Sequence, residues 1–130
     1  MKFNHIGIPT TESKEGEIYL EHLKMHVTDH ESNPFGIQWM RFDDDAPYPE
    51  IVRTLPHAAF VVQGLTRALM GQKVIIPPNS PSKGLTVAFI EVQGAPIELM
   101  EYADTTAAES DTTTDTTPKS GLFLKETVEM

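Results

Sequence analysis

The chain has 130 residues, no cysteine and a net charge of −9, with 39% hydrophobic and 22% charged residues. That is the length and balance of one globular domain, and it leaves no disulfide, thiolate nucleophile or Cys-ligated zinc to consider. The acidic balance argues against nucleic acid and against anionic membranes as partners, since both recruit basic patches.

In chain order, Phe3 to Ile8 predicts a strand ended by Pro9. Thr10 or Thr11 can cap a helix from about Glu12, with Ile18, Leu20, Leu23 and Met25 as its apolar stripe. Val27 to Asp29 reads as a brief extended piece before a Ser-Asn-Pro turn, and Ile37 to Phe42 as a strand. A turn-rich loop, DDDAPYPE, follows. His57 to Val62 is the next strand, with a short helix from Leu65 to Met70. Lys73 to Ile76 begins a strand that Pro77 and Pro78 should stop. Leu85–Val92 and Pro96–Tyr102 read as a hairpin turned at Gln93-Gly94-Ala95. Beyond Tyr102 the chain becomes ADTTAAESDTTTDTT, a linker composition, and then GLFLKETVEM, a short apolar end suited to docking. No apolar run reaches the roughly 20 residues of a membrane helix, and MKFNHIGIPT is unlike a signal peptide, so a cytoplasmic location is expected.

The order implies a duplicated α+β unit, with modules at about 1–53 and 54–102. FNHIGIP (3–9) lies over LPHAAFV (55–61), which sets His5 against His57. GIQWMRF (36–42) lies over APIELMEY (95–102), which sets Gln38 against Glu98. The second module is the longer, and KVIIPPN is the extra strand that the first would lack. Strand side chains alternate faces, so Phe3, His5 and Gly7 lie on one face of their strand, Gln38, Met40 and Phe42 on one face of theirs, and Glu98, Met100 and Tyr102 on one face of theirs. Two such modules packed about a pseudo-twofold axis would each bring a His and a Gln or Glu to one pocket. Two imidazoles, a carboxylate and an amide oxygen form a donor set for Mn, Fe, Co, Ni or Zn. Met40, Phe42, Met100 and Tyr102 would then form its apolar wall.

With NHIGIP, PHAAFVV and VAFIEVQGAPIELMEY in hand, the chain resembles the glyoxalase / bleomycin-resistance / extradiol-dioxygenase superfamily, the vicinal oxygen chelate proteins. The resemblance covers residues 1 to about 102 and implies two paired βαβββ modules, the first one shortened, in an open cup-shaped mixed sheet. It further implies one divalent metal held by His5, Gln38, His57 and Glu98, with Glu98 doubling as the catalytic base. The implied activity is that of a lyase or isomerase on a small substrate with vicinal oxygens, through an enediolate-type intermediate. A homodimer is the implied assembly. The alternative within the same superfamily is a non-catalytic small-molecule-binding protein of the bleomycin-resistance type. Gln38 stands where many glyoxalase-like relatives have glutamate.

Other features read as structural. His22, His26 and His30 recur every four residues but read as surface histidines, because Val27-Thr28-Asp29 leaves the helix. Asp43-Asp44-Asp45 lacks the glycine and distal glutamate of a calcium loop. Asn79 to Gly84 is a candidate lip over the pocket, while Trp39 and Phe89 read as core residues pointing away from the ligands. The chain carries no Ser-His-Asp order, phosphate loop or dinucleotide fingerprint.

Overall fold

The computed structural model describes residues 1–103. Eight strands form a single sheet in the order β2-β3-β4-β1-β5-β8-β7-β6. They are β1 (Lys2–Pro9), β2 (Ile18–Leu20), β3 (Met25–Val27), β4 (Ile37–Phe42), β5 (His57–Val61), β6 (Lys73–Ser82), β7 (Leu85–Val92) and β8 (Ala95–Tyr102). Two five-residue helices accompany them, α1 (Glu50–Thr54) and α2 (Leu65–Leu69). This is the expected α+β architecture with a curled, open, mixed sheet. The curl brings opposite edges of the sheet within reach, where His22 Nε2–H donates to the Pro81 carbonyl at 2.9 Å. Among the described residues no helix is long and apolar enough to cross a membrane.

The strand order reads the same outward from the β1/β5 boundary in both directions. β1 runs parallel to β4 with Ile6 beside Ile37, and β5 runs parallel to β8 with Ala58 beside Ile97. β1 and β5 are antiparallel, with Gly7 opposite His57 and His5 opposite Ala59. The repeat in the sequence is therefore a repeat in register: His5 corresponds to His57, Gly7 to Ala59, Gln38 to Glu98 and Trp39 to Leu99.

Both modules have four strands, so the first is shortened otherwise than expected. No strand is missing. β2 has three residues where β6 has ten, and nothing in the first module corresponds to α2. The helix expected from Glu12 does not form. Gly16 turns the chain at φ +83°, and Ile18–Leu20 pairs antiparallel with Met25–Val27 around a 3-10 turn at Glu21–Leu23. The apolar spacing there serves two short strands of period two, which a helical stripe had absorbed. Pro77 and Pro78 do not stop β6, because it is an edge strand whose irregular register with β7 tolerates missing donors. Asn79 to Ser82 thus belongs to a hairpin rather than to a lip. α1 begins at the last residue of the DDDAPYPE loop and continues where no element was expected. The linker and apolar end expected after residue 103 lie outside the described residues.

The sheet's two faces are finished differently. On one, α2 lays Leu65, Ala68 and Leu69 over Val62, Ala88, Ile90 and Leu99. The other carries an apolar cluster in each module. Met25, Val27 and Met40 pack with Phe42 and Tyr48, while Ala59, Val87 and Met100 pack with Leu85 and Tyr102. The residues expected as pocket wall belong to these two clusters.

Candidate metal centre

Row by row across the central strands, Gln38, Gly7 and His57 lie side by side, and His5, Ala59 and Glu98 form the adjacent row. The two small residues sit in the middle of each row, so longer side chains from strands two apart can meet above them. His57 needs that room. A Cβ added at Gly7 would stand 2.3 Å from His57 Cε1 and 2.8 Å from Met40 Sδ. Met40 therefore borders the site, as expected.

His5, His57 and Glu98 converge: one ligand atom from each lies within 4.8 Å of the others. His57 Nε2 is 3.1 Å and His5 Nε2 3.4 Å from the same oxygen, Glu98 Oε1. His5 is 4% and His57 1% exposed. Burial by itself would raise the Glu98 carboxyl. Its contacts with His5 and His57 outweigh burial and hold it at about 2, so the carboxylate is an anion at neutral pH.

The donor set fits a divalent ion. His5 Nδ1–H donates to Asn4 Oδ1 at 2.7 Å, which leaves Nε2 as the lone-pair nitrogen. That Nε2 is buried and has no hydrogen-bond partner. It faces the Glu98 carboxylate oxygen, and a cation held between the two, a proton or a metal ion, satisfies both. Ligand atoms about 2.1 Å from one ion stand about 3.0–3.4 Å apart at ordinary coordination angles. The two nitrogens keep that separation from the Glu98 oxygen. Gln38 holds the twofold-equivalent place of Glu98, on β4 beside Gly7; the close group consists of the other three.

Four details differ from the reading of the sequence. Phe3 does not share the His5 face. A β-bulge at Asn4 shifts the register so that Phe3 pairs with Phe60, their rings 5.9 Å apart, and Asn4 comes beside the His5 ring. Phe89 does not point away, since it pairs directly with Glu98 and sets its ring edge-on to His57 at 4.8 Å. Cross-strand partners share a face, which makes Phe89 a wall of the site. His30 is not a surface residue: its ring stacks on His5 at 4.8 Å with an interplanar angle of 18°. Burial, then the neighbouring His5, lower its pKa to about 3 despite the nearby Glu98, so it is neutral. His26 packs on Tyr19 at 4.5 Å, while His22 is exposed as expected. The bulge and the stack left no local trace in composition or spacing that could have identified Asn4 and His30.

An open groove of about 1060 Å³ runs along Phe60, Val62, Ala68 and Leu99 beside α2, with Lys2 and Arg67 at its edge. None of the three converging residues lines it, and the ligating group found among the described residues is the buried trio. Comparison with models of known families finds no match, and comparison with curated proteins finds none either.

Proposed function

We propose that the protein is a divalent-metal-dependent lyase or isomerase of the glyoxalase-like type, acting on a small substrate with vicinal oxygens. The observation that carries this reading is the buried, unpartnered Nε2 of His5 beside the Glu98 carboxylate, with His57 Nε2 on the same oxygen. His5, His57 and Glu98 would hold the ion, and Gln38 is the remaining oxygen donor on the equivalent strand. When bound, the ion supplies Lewis-acid polarisation of two adjacent oxygens at neutral pH. Mn, Fe, Co, Ni and Zn all suit imidazole with carboxylate.

The chain's own residues supply the rest. Glu98 is the one acid of the trio and the base that would take a proton from carbon beside a carbonyl. Its depressed pKa favours the bound anion, so accepting that proton requires its contacts with the two imidazoles to loosen. Phe89 and Met40 flank His57, and the clusters around Met40 and Met100 give the site apolar shoulders that exclude water. Among the described cations, Lys24 pairs with Asp45, Arg41 with Glu17 and Lys73 with Glu91. A small, weakly charged hydroxycarbonyl fits this setting better than a polyanionic thiol adduct. A soluble homodimer in the cytoplasm is the assembly we propose with it.

The test is the metal content of the untagged protein by inductively coupled plasma mass spectrometry, beside Glu98→Ala. The expected result is about one ion per chain in the wild type and at least a tenfold loss in the variant. A wild type that neither carries nor takes up Mn, Co, Ni or Zn overturns the enzyme reading. It would leave a binding protein of the bleomycin-resistance type.

A further inference from the structure

The two histidines occupy equivalent places but are held by different means. His57 follows Pro56, which has no side-chain acceptor, and His57 Nδ1 is buried without a partner. Its ring is located by the 3.1 Å contact of Nε2 with Glu98 Oε1 and by packing against Phe89 and into the space left by Gly7. His5 follows Asn4, which the β-bulge places within 2.7 Å of Nδ1. The flat face of its ring is covered by His30.

The segment that carries His30 is itself firmly placed. Asp29 caps the 3-10 turn His30–Ser32 by accepting from the Glu31 N–H at 2.8 Å, and Ser32 Oγ donates to the Asp29 carbonyl at 2.6 Å. On the side toward β4, Thr28 and Trp39 exchange two hydrogen bonds, from Thr28 N–H to the Trp39 carbonyl and from Trp39 N–H to Thr28 Oγ1. Asn33 Oδ1 accepts from the Phe35 and Ile37 N–H groups. The Gly36 carbonyl accepts from Ile6 N–H at 2.8 Å, which pins the segment to β1 one residue from His5. At φ +71° Gly36 passes so close that a Cβ there would stand 3.3 Å from the Asn4 carbonyl. So many local bonds fix the His30 ring over His5 rather than leaving it to drift.

We propose that Asn4 and His30 are positioning residues that clamp His5 in its ligating state. Asn4 holds the proton on Nδ1, and His30 fixes the plane of the ring so that the Nε2 lone pair points at the space beside Glu98. This rests on the metal reading above and assigns to two further residues the work of preorganising one ligand. Such outer partners fix the tautomer and typically carry 10–100-fold in metal affinity.

The experiment pairs two readouts on the full chain. Long-range proton–nitrogen NMR of the metal-free protein reports the tautomer of His5, and Zn(II) titration reports affinity. In Asn4→Ala the His5 proton should leave Nδ1 for Nε2 and Zn(II) affinity should fall about 10–100-fold. Asn4→Asp, which still accepts from Nδ1, should restore both. His30→Ala should lower Zn(II) affinity about tenfold, and His30→Phe, which keeps a flat ring, should recover most of it. An unchanged His5 tautomer in Asn4→Ala, or Zn(II) affinities within twofold of wild type in both alanine variants, overturns the proposal. If the wild type itself binds no Zn(II), Mn, Co or Ni, the metal reading fails, and the Asn4→Ala tautomer alone then decides the clamp.

Discussion

Trp39 and Leu99 occupy the same place in the two halves of the sheet, yet they are covered in opposite ways. Leu99 lies 4% exposed beneath the apolar side of α2. Trp39 has no helix above it; the loop between β1 and β2 crosses instead, with Lys14 Nζ 4.3 Å from the indole centroid. A large aromatic and a cation replace a leucine and a helix. The same contrast recurs at the β3–β4 and β7–β8 connections. The second module makes a tight hairpin in which Gln93 and Gly94 both take positive φ, 51° and 85°. The first module spends residues 28–36 on its connection and sets His30 over the site. The strand register is common to both modules and sets a His and a Gln or Glu at equivalent places. Their covers differ.

That comparison is sharpened first at its core. Leu99→Ala removes a side chain under α2 and should cost about 2–5 kcal/mol in urea unfolding. Next comes the pair of small residues in the central rows. Gly7→Ala forces a methyl into the His57 ring and should cost about 1–3 kcal/mol, whereas Ala59→Gly at the equivalent place should cost only about 0.5–1 kcal/mol. Equal losses at the two positions would remove the asymmetry inferred for His57. The smallest effect belongs to the loop cover. Lys14→Ala gives up a partly exposed cation–π contact and should lower stability by about 0.5–1 kcal/mol. A loss matching that of Leu99→Ala would mean the loop is as integral to the fold as α2.

Much of the sheet was legible because strand signals are local. Ile37 to Phe42, and Leu85 to Val92 with the strand that follows it, have the apolar content and turn residues that make a strand without reference to the rest of the chain. The pairing of His5 with His57 and of Gln38 with Glu98 was legible because a duplicated unit repeats its register. The segment from Glu12 to Met25 was not. Its apolar residues satisfy a helical stripe about as well as two three-residue strands, and only pairing with β4 favours the strands. Phe3 and Phe89 were assigned to the wrong faces for separate reasons. One bulged residue reverses alternation in β1, while the face of Phe89 depends on which residue of β8 it meets.

The sequence by itself determined β1, β4, β5, β7 and β8, the repeat and the residue types able to ligate a metal. Each of these is written in a short window or in the likeness of two windows. Tertiary structure alone decided that His5, His57 and Glu98 come within 4.8 Å of one another, and that Asn4 and His30 stand behind His5. Those contacts join strands β1, β5 and β8 and a turn between β3 and β4. They depend on the curl of the sheet and on one bulge. Curl and bulge are properties of strands once paired, so no single stretch of the chain encodes them.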